Sequence, residues 1–157
     1  MPLNLRSLPR MSLLGLTIAS GGYGLSPATA GDLSDFKSPL DNSPMTFPLS
    51  AGEVETLAVK NFKAIGVNEY RGNADAIAEG KKLYTANCVI CHGADATGKM
   101  GPTLVGKDVV YPQVLTDSGM FSIICGGASG AMQSFARRGM ERDQMPKIIA
   151  YVRSLDK

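Results

Sequence analysis

Histidine occurs once and cysteine three times in this 157-residue chain. That scarcity narrows the metal chemistry open to it. A four-ligand zinc site built on Cys88 and Cys91 needs a second ligand cluster, and only Cys125 lies outside the first. Long apolar runs are missing as well. The run Met11–Ala19 falls short of the roughly 20 residues that cross a bilayer, and no later stretch is long enough. An excess of one charge is missing too, once the first thirty positions are set aside. They hold two of the sixteen basic residues and none of the fourteen acidic ones, so residues 31–157 carry fourteen of each sign. A balanced surface gives no broad electrostatic case for nucleic acid or an anionic membrane. No segment has the apolar–polar alternation of a strand, and no internal repeat or low-complexity tract is present. The expectation is an all-α domain.

What is present is concentrated at Cys88-Val89-Ile90-Cys91-His92. Cys-x-x-Cys-His is the attachment motif of a c-type haem. Two thiols add across the vinyl groups, and the next imidazole is placed to bind iron. The spacing is tight because one short turn must present both sulfurs and the ring to one flat macrocycle. The competing reading is a redox-active dithiol, which asks for a strand–helix context. The residues before Cys88 read as helix instead, so one covalent haem c is expected, on Cys88 and Cys91.

The first thirty residues read as an export signal. Arg6 and Arg10 give a positive start, Met11–Ala19 an apolar run, and Ala28-Thr29-Ala30 a small-x-small cleavage site. Cleavage after Ala30 would leave a periplasmic protein with no membrane span, since haem is attached to c-type cytochromes outside the cytoplasm. Its length fits one domain.

Residues 31–52 form the next segment. Pro39, Pro44 and Pro48 interrupt any regular element. Leu40, Met45, Phe47 and Leu49 are too apolar for a free tail, which predicts an extended arm laid over the body. The haem domain then occupies residues 53–157. A helix over 53–65 is predicted from Val54, Leu57, Ala58, Phe62 and Ile65, with Gly66 as its end. A second should span Ala74–Asn87, with Ile77, Gly80, Leu83 and Tyr84 on one face. Residues 93–112 are too rich in Gly and Pro for more than loop. A short helix over Asp117–Cys125 should stop at Gly126. The last runs to Leu155 with Ile148, Ile149, Val152 and Leu155 on one stripe, starting late or kinking at Pro146.

Iron bound by His92 has a second face, and its ligand sets the chemistry: methionine suits electron transfer, whereas an open position admits small molecules. With no second histidine, the candidates are Met100, Met120, Met132, Met140 and Met145. Met100 lies in a loop that should stay on the His92 side. Met120 reads as helix core. Met145 precedes Pro146 inside or beside the last helix. Met132 follows Gly126-Gly127-Ala128-Ser129-Gly130-Ala131, a small-residue approach that lets backbone come near the ring. Met132 is the expected ligand, with Met145 and Met140 next in line.

Three blocks, "AEGKKLYTANCVICHGADATGKMGPTL", "DSGMFSIICGGASGAM" and "IIAYVRSL", together with the upstream "ETLAVKNFKAIGVNEY", resemble the cytochrome c-L group. Gly-Gly-Ala-x-Gly-x-Met is the most specific part of the likeness. The resemblance implies a class I-like cytochrome c domain with an extended amino-terminal arm and an additional helix. It implies thioethers at Cys88 and Cys91, iron ligation by His92 and Met132, and a Pro102 carbonyl receiving the His92 ring N–H. Gly80 and Tyr84 would pack against Tyr151. The implied role is a one-electron carrier rather than an enzyme. Its donor would be a quinoprotein (PQQ-dependent) methanol or alcohol dehydrogenase, and its acceptor another c-type cytochrome or an oxidase. Methylamine-pathway cytochromes are near relatives, so a different donor stays open. Members of the group are commonly acidic, whereas this chain is balanced, and Arg137, Arg138 and Arg142 suggest a basic docking patch near the haem edge.

A catalytic or gas-binding haem protein is the alternative from another class. It needs Met132 absent from the iron, and the chain lacks the distal histidine that peroxidase-like chemistry uses. A third reading makes the chain a tightly held subunit of a dehydrogenase. Cys125, left without a partner, is expected to be a buried, inert thiol.

Overall fold

The computed structural model describes residues 36–156. The expected export signal, its cleavage point after Ala30 and the first residues of the arm lie outside them. Within the described residues the fold is helical, and the only β feature is an isolated antiparallel bridge between Lys37 and Pro44.

Helix α1 spans Leu57–Ile65. Thr56 caps it by accepting the Val59 N–H at 3.2 Å, and Gly66 ends it at φ +69°, a left-handed position that suits glycine. Its start is four residues later than the periodicity suggested, and its buried face differs as well. Val59 and Phe62 are the buried residues, whereas Val54, Leu57 and Ile65 are 83%, 76% and 66% exposed. The segment is apolar on several sides, so spacing could not select the face. The choice is made by Phe62, which sits edge-to-face against Phe36 and Phe121.

Helix α2 covers Ala74–Asn87, capped by Asn73 and with Asp75 in its first turn. It crosses the last helix, α5 (Gln144–Leu155), at Gly80, where a Cβ would stand 2.0 Å from the Lys147 carbonyl oxygen. Only glycine permits that approach. One turn further along, Tyr84 and Tyr151 pack with centroids 5.3 Å apart, the contact the resemblance implied. Pro146 is the third residue of α5, where a missing N–H costs no intrahelical bond. The helix therefore begins just before it, without a kink to explain.

Helix α3 is the single turn Val89–His92, and α4 is Asp117–Gly126, preceded by a 3₁₀ turn at Pro112–Leu115. Every α4 residue from Asp117 to Cys125 is buried, which makes it the central element. The helix stops one residue beyond expectation, and its two glycines serve different purposes. At Gly126 a Cβ would press to 2.5 Å from the Met45 Cε, so the arm lies on it. At Gly127 the backbone turns at φ +87°.

The arm does cover the body, though not with all its apolar residues. Phe36 and Phe47 are buried in an edge-to-face cluster with Phe62 and Phe121, while Leu40 and Leu49 are exposed. Arg142 fastens it. Its guanidinium donates to the Glu53 carboxylate at 2.8 Å, to Ser50 Oγ at 2.7 Å and to the Pro48 carbonyl. Cys125 is buried, as expected. Burial also pushes its thiol pKa up.

Candidate functional site

Helix α2 delivers the chain straight into the motif. The Cys88 N–H bonds the Tyr84 carbonyl at 2.8 Å, and Cys91 and His92 N–H groups both reach the Cys88 carbonyl, at 3.1 and 2.9 Å. This one turn brings Cys88, Cys91 and His92 to the wall of a single cavity of about 420 Å³. The loop behind it folds back onto the motif: Gly98 N–H donates to the His92 carbonyl at 2.9 Å, and Gly101 N–H to the Cys91 carbonyl at 2.8 Å. That return places the Pro102 carbonyl 2.8 Å from His92 Nδ1. With Nδ1–H donating there, Nε2 is the nitrogen left with a lone pair, on a ring whose orientation is fixed from behind. Gly101 sits so close that an added Cβ would stand 3.1 Å from His92 Cε1.

The remaining walls are apolar. Val114, Met120, Ile123 and Ile124 come from around α4, Ile148 and Val152 from α5, and Tyr84 from α2. Burial, with the neighbouring Cys91, pushes the Cys88 thiol pKa up to about 12, so it enters this surface uncharged.

Ala128, Ser129, Ala131 and Met132 complete the lining. Gly127 turns where a Cβ would be 2.8 Å from the Met132 carbonyl oxygen, and Ala128 N–H donates to that oxygen at 2.8 Å. The result is a loop, Ala128–Met132, tied at its base with Met132 in the cavity lining. Of the five methionine candidates, Met100, Met120 and Met132 line the cavity; Met140 and Met145 are buried elsewhere in the core. Met100 adjoins Gly101, which touches the His92 ring, and so belongs to the histidine side.

The basic cluster divides. Arg137 and Arg138 are exposed, and the Arg138 guanidinium lies 4.9 Å above the Phe135 ring. Arg142 does not belong with them. It is 6% exposed and committed to the arm, and so offers nothing to a partner. Its acceptors are supplied from about ninety positions earlier in the chain, beyond reach of a local reading. Sequence reasoning also passed over Tyr111, which lines the cavity and hydrogen-bonds Ser129. No local signal marks it, since it stands in a Gly- and Pro-rich stretch.

Two sulfurs and an oriented imidazole on one turn, facing an apolar cavity, fit a flat apolar macrocycle held covalently at one edge. Among the described residues no group of three or more His, Cys, Asp or Glu side chains is placed to hold a metal ion, and no helix is long and apolar enough to cross a membrane.

The chain is similar to several known proteins. The family described as cytochrome c oxidase, cbb3-type, subunit III matches residues 75–152. Cytochrome c-L of Methylorubrum extorquens is 38% identical over 104 residues, which cover 66% of this chain and 52% of that protein. The chain thus spans about half the length of that curated relative. The crystal structure of cytochrome cL from Hyphomicrobium denitrificans superposes with a TM-score of 0.70 at 33% identity, over 78% of this chain and 73% of the other. Cytochrome cL of Methylophaga aminisulfidivorans gives 0.70 at 32%, over 76% and 79%. On this likeness the chain belongs to the cytochrome c-L family: a single class I-like cytochrome c domain with covalent haem c.

Proposed function

We propose that this cytochrome is a periplasmic one-electron carrier, reduced by a PQQ-dependent methanol or alcohol dehydrogenase and oxidised by another c-type cytochrome or a terminal oxidase. The observation that carries the reading is one cavity lined by Cys88, Cys91, His92 and Met132, with the His92 ring held by the Pro102 carbonyl. Haem iron supplies a ferric–ferrous couple there. Cys88 and Cys91 would tether the macrocycle, and His92, oriented by the Pro102 carbonyl, and Met132, on the loop tied at Gly127 and Ala128, would be the residues that bind its iron. Apolar walls from α4 and α5 keep water out, which favours a small rearrangement on electron transfer. The donor assignment is supported by the likeness to cytochromes c-L. The exposed pair Arg137 and Arg138 forms the docking patch in this reading, and the polypeptide is exported with cleavage after Ala30.

The experiment is reduction of the ferric protein by a purified quinoprotein methanol dehydrogenase with methanol present. Fast, saturable reduction is expected. Slow reduction of a protein with intact His–Met ligation would assign it to a different donor.

A further inference from the structure

We propose that Tyr111 is a positioning residue, a latch that holds the Met132 loop closed over the cavity through its hydrogen bond to Ser129. The inference rests on the assignment of Met132 to iron. Both Tyr111 and Ser129 line the cavity, and their hydroxyls are hydrogen-bonded to each other. Among the described residues this is the only side-chain hydrogen bond that reaches residues 128–132. The loop otherwise depends on the single backbone bond from Ala128 N–H to the Met132 carbonyl.

The two partners differ in how firmly they are held. Tyr111 opens the Pro112–Leu115 turn, and its carbonyl accepts the Val114 N–H at 3.0 Å. The Val114 carbonyl in turn receives Arg153 Nη2 at 2.6 Å, and Arg153 is fixed by Asp117 at 2.8 Å. A second guanidinium, from Arg71, binds the same carboxylate. The tyrosine side of the latch is thereby tied to α4 and α5 by a mostly buried ion network. Ser129 stands on the other side, in a loop with Gly127 and Gly130 at positive φ and with Ser129, Gly130 and Ala131 exposed. When the bond breaks, the loop is therefore the part that moves. A displaced loop would carry Met132 away from the cavity, so the latch restrains ligand loss without touching the iron.

The test uses the holoprotein with Tyr111→Phe, Ser129→Ala, the double variant and Ser129→Thr. Two rates are read: carbon monoxide binding to the ferrous form, and hydrogen exchange of the Ala128 amide. One neutral hydrogen bond predicts a rise of about two- to tenfold in both rates for each single variant. The double variant should add nothing further, and Ser129→Thr should behave as the parent. Unchanged rates in both single variants, or effects that multiply in the double, would overturn the latch. Met132→Ala separates the two claims. If that variant still resists carbon monoxide, the ligand assignment fails, while accelerated Ala128 exchange in Tyr111→Phe would continue to support the latch.

Discussion

The histidine side and the methionine side of the cavity are built by different means. Cys88, Cys91 and His92 sit on one helical turn, continuous with α2 and braced by a loop that returns within ten residues to Pro102. Met132 sits on a loop of small residues. Its base rests on Gly127, its tip on Tyr111, and the helix that delivers it is pressed by Met45 of the arm. The first arrangement is local and rigid, and the second is assembled from distant segments. In the proposed function this division suits a carrier: the covalent side would fix the cofactor, and the other face would be adjustable through residues that never contact iron.

The largest effect should come from disturbing the rigid side. Gly80→Ala would drive a methyl group into the backbone of α5 at Lys147, forcing α2 and α5 apart. A loss of about 3 kcal/mol or more is expected in urea unfolding. An unchanged midpoint would mean that the two helices do not cross as closely as described. Arg142→Ala addresses the other side. It strands the Glu53 carboxylate and releases the arm from Gly126, for an expected loss of about 2–3 kcal/mol. Limited proteolysis should then cut first within residues 41–52; cleavage elsewhere would separate the arm from the effect.

Those two positions also show what was legible in the sequence. The spans of α2 and α4 and the end of α5 followed from their apolar spacing, and the motif named its own cofactor because its geometry is contained in five consecutive residues. Gly80 beside Tyr84 could be read because the likeness to cytochromes c-L covers it. Arg142 could not, since its burial depends on Pro48, Ser50 and Glu53 folding back across the whole domain. The α1 face failed for a related reason. A helix with apolar residues on several sides is oriented by its tertiary partner, here the Phe36–Phe121 cluster. Tyr111 was invisible because its role depends on a residue eighteen positions away.

A smaller effect is expected from acid. Burial tends to raise the Asp117 carboxyl pKa, but hydrogen bonds from Arg71 and Arg153 outweigh it and hold the group below its ordinary 3.8. A carboxylate lowered in the folded state stabilises fully above its unfolded pKa, and that stability is lost as pH falls through the folded value. Stability should therefore be flat from neutral pH down to about 5 on this account, then drop as pH falls below the ordinary carboxylate range. Asp117→Asn should abolish this part of the drop in acid titrations followed by circular dichroism. A full drop in the variant would assign the acid sensitivity to other carboxylates.

The smallest effect is kinetic. Arg137→Ala with Arg138→Ala removes two exposed side chains, of which only Arg138 touches the core, over the Phe135 ring. Reduction by the dehydrogenase should slow severalfold at low salt and lose much of its salt dependence. Equal rates at every ionic strength would remove these residues from the docking surface.

The contrast between the two sides rests on which methionine faces the iron. The most direct measurement is proton–carbon NMR of the ferrous holoprotein labelled at its methionine methyl carbons. A methyl held over the haem face is displaced strongly by the ring current. The account predicts one such resonance, and its disappearance in Met132→Ala alone. Persistence of that resonance in Met132→Ala, with loss in Met120→Ala or Met100→Ala instead, would contradict it.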